Sequence, residues 1–201
     1  MQGLLSVSRL IDKINHQVGQ VVMWLVLAMT VISAGNAVVR KAFDMSSNAL
    51  LEIQWYLFAA VFMLGAGYAL LHNAHVRIDF ISSRLSDRAR NWIDVFGIVL
   101  VLFPFCALCA YLAWPLFTRA LASGETSQNA GGLTRWPVYA TMPIGFALLF
   151  LQGVSELIKR LAFLRGAGPD VLAHQESAED KLLAELAEQA KNGTVNTAIQ
   201  K

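Results

Sequence analysis

Four long apolar runs, at about residues 18–39, 49–71, 92–117 and 137–161, alternate with short polar stretches. A helix needs roughly 20 apolar residues to cover about 30 Å of hydrocarbon, so each run predicts one transmembrane helix. The stretch ahead of the third run follows a different rule. There Ile78, Ile81, Leu85, Ala89 and Trp92 recur at helical spacing while Arg77, Arg84, Asp87 and Arg88 take the other faces. This predicts an amphipathic helix over about 77–91 lying in the membrane interface, with Arg84, Arg88 and Arg90 among lipid headgroups, each cation worth about 1 kcal/mol there. Beyond Arg165, Gly166, Gly168 and Pro169 end the fourth helix and the chain turns polar. In that tail Ser177 with Asp180 caps a short helix bearing an apolar stripe of Leu182, Leu183, Leu186 and Ala190, stopped at Asn192-Gly193. At this length the helix is marginal alone; docking on a partner and fraying in the cytosol both remain open. The expected organisation is a segment 1–17, a four-helix membrane domain 18–165 and a tail 166–201: an all-α integral membrane protein.

Composition and charge sharpen this picture. With 56% hydrophobic and 15% charged residues, the chain is too apolar for an ordinary soluble domain. Basic residues in short loops set orientation. One side of the four runs carries Arg9, Lys13, Arg77, Arg84, Arg88, Arg90, Lys159, Arg160 and Arg165, and the other only Arg40, Lys41, Arg119 and Arg135. The excess places both termini in the cytoplasm of a bacterial cell, the protein being multi-pass in the inner membrane. The first run exceeds a signal-peptide core and follows a polar, mixed-charge segment, so it is expected to be a retained anchor. Trp24, Trp92, Trp114 and Trp136 fall towards the ends of the runs and Trp55 about two turns inside. Small residues four apart (Thr30 with Ala34, Ser33 with Ala37, Gly65 with Ala69) suit close helix packing, and Pro104 predicts a kink in the third helix, with Pro143 a second possible one in the fourth.

Chemistry inside a membrane needs ionisable groups at depth. The runs offer Glu52, Asp94 and Glu156, all close to a run's end. Glu52 reads either as a carboxylate complementing the positive end of its helix or as a salt bridge to a neighbouring subunit. Asp94 has Arg90 four residues before it, and Glu156 has Lys159 and Arg160 after it, so both can be neutralised locally. Cys106 and Cys109 form C-x-x-C, but in mid-run a thiolate is disfavoured and two sulfurs make a poor zinc site. His16, His72, His75 and His174 lie outside the runs, at the wrong depth for axial haem ligands. No phosphate-cradling glycine motif, nucleophile elbow or metalloprotease signature occurs, so neither enzyme activity nor a cofactor or metal on this chain is expected. The segment from Arg119 to Trp136, with Glu125, Gly131-Gly132 and Arg135, reads as a solvated connector or as a docking surface for a soluble protein.

Several stretches resemble a known family. They are Asn48-Ala-Leu-Leu-Glu-Ile-Gln-Trp-Tyr-Leu-Phe, Leu64-Gly-Ala-Gly-Tyr68, His75-Val-Arg-Ile-Asp79, Gly124-Glu-Thr-Ser127 and Trp136-Pro-Val-Tyr-Ala-Thr-Met-Pro-Ile-Gly-Phe146. In this order around four spans they resemble the small membrane subunit of tripartite ATP-independent periplasmic (TRAP) transporters, the DctQ-like family, over about residues 11–165. The resemblance implies partnership with a large multi-span transport subunit, which would hold the substrate and sodium sites, and with a periplasmic substrate-binding protein delivering a small organic anion. This chain would then be a static scaffold. It also implies subunit-packing or headgroup roles for Glu52, Trp55, Gly65, His75, Arg77 and Asp79, and makes Arg119, Glu125, Arg135 and Trp136 candidates for docking the binding protein. Lipids are expected contacts and nucleic acid is not.

Two other classes compete. A stand-alone four-helix exporter coupled to protons would need a membrane-embedded carboxylate, for which Glu52 is the only weak candidate. A haem-anchor subunit of a redox complex would absorb visible light.

Overall fold

The computed structural model describes residues 2–44, 47–73 and 85–169. Four helices in this part are long and apolar enough to cross a membrane: α1 (Gln2–Phe43), α2 (Asn48–Leu71), α3 (Asp87–Ser123) and α4 (Trp136–Leu164). The four expected spans are therefore present. Helix α4 is the hub, packing against α1, α2 and α3, while α1 and α2 pack along each other.

Two boundaries differ from the hydropathy reading. Helix α1 begins at Gln2 rather than near residue 18, and at 1.5 Å per residue its 42 residues run about 63 Å. Its first turns satisfy a helix pattern of their own, with Ser8, Ile11, Asn15, Gly19 and Val22 buried at spacings of three and four. At the other junction Asp87 opens a helix that runs without a break to Ser123. Residues 87–91 of the expected interfacial helix are thus the first turns of α3, capped by the Ser86 hydroxyl accepting from the Ala89 amide. The rest of that helix's expected residues up to 84, together with Arg84 itself and the tail helix, lie outside the described residues.

The irregularity expected at Pro104 takes the form of a π-helical turn, Ile98–Leu102, immediately before it. Proline lacks the amide that would continue the α-ladder, and a π turn, in which the Phe103 amide reaches the Ile98 carbonyl, absorbs the mismatch. The residues that follow pack closely on α4, with Phe103 stacked 4.6 Å from Phe150.

Close helix approach rests on positions the small-residue pattern did not single out. A Cβ at Gly65 would meet only Val22 Cγ1, at an ordinary 3.6 Å. At Gly145 it would stand 2.6 Å from the Met63 carbonyl oxygen, so here α2 and α4 touch backbone to backbone, as small residues permit in membranes.

Cross-helix contacts also fix relative depth. Asn15 on α1 bonds Gln152 on α4, and Gln152 lies sixteen residues, about 24 Å, beyond Trp136. Trp24, nine residues or about 13 Å from Asn15 in the opposite sense, is thereby brought to the middle of the bundle rather than to an end, and it is 71% exposed.

Candidate functional site

Charged side chains gather at the two ends of the bundle. Between Lys13 and Arg40 on α1, Glu52 and the end of α2, Asp94 and Arg119 on α3, and Arg135 and Glu156 on α4, no Asp, Glu, Lys or Arg occurs.

At one end stands a loop clamp. Residues 124–135 leave α3 through Gly124, whose φ of 61° suits glycine, and turn back as a small hairpin. An isolated antiparallel bridge joins Thr126 to Thr134, the Ser127 amide donates to the Leu133 carbonyl at 2.9 Å and the Arg135 amide to the Glu125 carbonyl at 3.0 Å. Helix α2 grips this hairpin with three polar residues four apart, a spacing that puts them on one face. Asn48 Nδ2 donates to the Ala130 carbonyl (3.0 Å), and the Tyr56 hydroxyl to the Thr134 carbonyl (3.1 Å). Between them Glu52 accepts from Asn129 Nδ2 through Oε1 (2.8 Å) and from the Leu133 amide through Oε2 (2.7 Å). Gly132 makes room for the carboxylate, since a Cβ there would come within 3.1 Å of Glu52 Oε1.

Glu52, 2% exposed, stands near the start of α2 and has partners that neither sequence reading named. Its oxygens are committed to the chain's own loop. The clamp leaves the outer rim of the loop free: Arg135 Nη1 and Glu125 Oε1 sit 4.0 Å apart, both side chains over a third exposed, and Trp136 opens α4 beside them half-exposed. Such a loose surface pair contributes little stability. Arg119 is elsewhere, inside α3 and along a groove against α4.

The opposite end holds a buried ionic staple that joins three helices. On α4, Gln152, Ser155 and Glu156 are 0% exposed. Gln152 accepts from Asn15 Nδ2 (3.0 Å) and donates to Asp12 (2.9 Å) and Glu156 (3.2 Å). The Ser155 hydroxyl lies 2.7 Å from that of Ser8 and 2.6 Å from Asp12 Oδ1. Lys159 bridges Asp12 (3.1 Å) and Glu156 (2.6 Å). Arg160 joins Glu156 (2.6 Å) to Asp94 of α3, the latter through both Nε (3.0 Å) and Nη2 (2.9 Å). Glu156 thus has the local partners its sequence offers. Asp94, with Arg90 a turn away, is met across the helix pair by a cation from α4, and Arg90 bonds Asp87 at 2.7 Å. Buried charges satisfied in this way hold a register, because any slip would strand one of them.

Of the other candidates, Trp55 is 64% exposed and borders a groove with Thr30, Ser33, Ala34 and Ala37. Arg88 and Arg90 are on the first turn of α3. His75, Arg77 and Asp79 lie outside the described residues. Sequence reading overlooked Ser8, Asp12, Asn15, Gln152 and Ser155. It also left His16 and His72 unrelated, whereas their rings, 6.0 Å apart, share contact with Tyr68.

Comparison with known proteins points one way. The family described as tripartite ATP-independent periplasmic transporters, DctQ component, matches residues 29–163. A relative from Pseudomonas aeruginosa, the C4-dicarboxylate TRAP transporter small permease protein DctQ, is 26% identical over 134 residues. That stretch is 66% of this chain and spans 62% of the relative's length.

Proposed function

Because the chain belongs to the DctQ component family of TRAP transporters, a transport family, we propose that it is the immobile small subunit of such a transporter: it widens and steadies the membrane frame of a large transport subunit and offers its clamped loop to a periplasmic substrate-binding protein. In this reading both termini are cytoplasmic, the loop 124–135 faces the periplasm, and the transport step is driven by a sodium gradient acting on the large subunit. The cargo is a small organic anion.

The observation that carries this reading is the division of charge. Ionisable groups in the membrane interior mark proton relays and ion pathways, but between their end clusters the described helices carry none, and the carboxylates Glu52 and Glu156 are bonded within the chain. Glu52, which a proton-coupled exporter would need, is spent on the loop. Three hydrogen-bonding side chains spaced along α2 hold twelve loop residues, which pre-organises a surface and lowers the entropic cost of docking.

The test is uptake into proteoliposomes containing the large subunit, with and without this chain, at limiting binding protein. Exchanging the rim charges, Glu125→Arg with Arg135→Glu, should slow uptake while co-purification with the large subunit is kept. Ion-driven accumulation by this chain alone would defeat the proposal.

A further inference from the structure

Helices α3 and α4 leave between their loop-side halves an open apolar groove of about 750 Å³, bordered by Tyr111, Trp114, Pro115 and Arg119 of α3 and by Pro143 and Ile144 of α4. Tyr111, Trp114 and Ile144 are exposed, so nothing within the described chain fills it. Two prolines face this space, and a helix surface bearing Pro115 and Pro143 lacks bulk where each ring replaces a longer side chain.

Arg119 sets the chemistry of the groove. It lies four residues, about 6 Å, inside the end of α3 at Ser123. An arginine at that depth normally extends towards water. Here Nε instead donates to the Pro115 carbonyl at 3.1 Å, which folds the side chain back one turn, into the groove. No carboxylate among the described residues pairs with it; Glu125, at the loop, faces Arg135. A guanidinium just outside the apolar run, at the membrane interface, attracts anionic lipid, and its Nη groups are suited to phosphate oxygens.

We propose that this groove is a phospholipid site, with the lipid phosphate on the Arg119 guanidinium and one acyl chain lying over Pro115 and Pro143 between Tyr111 and Ile144. The occupant is a membrane lipid rather than a partner helix because the groove pairs one cation at headgroup depth with a purely apolar floor running about 10 Å deeper, from Ala140 to Ala147. A diacyl phospholipid has that same order of charge and hydrocarbon.

Native mass spectrometry of the full chain in detergent tests this, using phosphatidylglycerol and a diacylglycerol with identical acyl chains as probes. The wild type should keep phosphatidylglycerol at detergent levels that strip the diacylglycerol. Arg119→Gln should retain roughly tenfold less, Arg119→Lys an intermediate amount, and Ile144→Trp, which fills the floor, should lose the lipid with the cation intact. Each variant is scored only alongside an unchanged thermal melt; because the Ile144→Trp and Arg119→Lys changes act separately, one misfolded variant leaves the other decisive. Equal retention of the two probes, or undiminished retention in Arg119→Gln, overturns the proposal. So does photocrosslinking from position 144 in native membranes that yields a polypeptide adduct in place of a lipid one.

Discussion

Replacing Arg160 by Met probes the staple where it is most exposed to failure. The side chain is 3% accessible and makes three short contacts, one to Glu156 and two to Asp94. Methionine keeps much of its length and apolar volume, so the change removes charge and hydrogen bonds with little cavity. Glu156, wholly buried, would then depend on Lys159, which it already shares with Asp12. Removing one partner of a buried pair costs about 3–5 kcal/mol. For a chain of this size each kcal/mol moves the melting point by about 2–4 °C, so the expected fall is roughly 10 °C. Thermal loss of helical circular dichroism in detergent reads it. The same physics makes a second, opposite demand: a fully apolar replacement of a buried ion pair is about neutral. Adding Asp94→Leu and Glu156→Met to Arg160→Met should therefore recover most of the loss, Lys159 keeping Asp12 as its partner. A single variant within about 1 kcal/mol of wild type, or a triple variant worse than the single, would mean that water reaches these groups and that the staple does not set the register of α1, α3 and α4.

Other expectations follow from the same geometry. Gly145→Val should force α2 from α4, costing about 1–3 kcal/mol in the melt, because its Cβ would lie 2.6 Å from the Met63 oxygen; Gly65→Ala, with 3.6 Å to Val22, should be close to silent. Glu52→Ala should speed hydrogen exchange across residues 124–135 while leaving the peptides of α4 unchanged, since two of the loop's anchoring bonds end on its carboxylate; uniform loosening of the bundle, or none, would refute the clamp. Gln152→Leu leaves Asn15 Nδ2 with only its longer bond to the Ile11 carbonyl (3.4 Å) and removes the bridge between Asp12 and Glu156, so it should weaken the melt by about 1–3 kcal/mol, and a stabilised variant would show that the apolar exchange is better packed.

Hydropathy is a property of each helix by itself, which is why the four spans could be read from the chain while their partners could not. Glu156 with Lys159 and Arg160 is a local pair, three and four residues apart, and it forms as spacing alone suggests. Asp94 has a local candidate in Arg90, and Arg160, sixty-six residues away, reaches it as well; no periodicity carries that second contact, because it depends on which faces α3 and α4 turn to each other. The early start of α1 was concealed for a related reason. Ser8, Asp12 and Asn15 lower the apolar signal of the first turns, and they are tolerated inside only because Ser155, Lys159 and Gln152 wait opposite. Both sets recur at intervals of three and four, so a search for polar side chains at helical spacing on two antiparallel helices would have found the staple. The clamp left the same trace in Asn48, Glu52 and Tyr56. Uninterrupted polar spacing on the edge of an apolar helix therefore carries pairing information that mean hydropathy discards, and among the described residues it marks both the clamp and the staple.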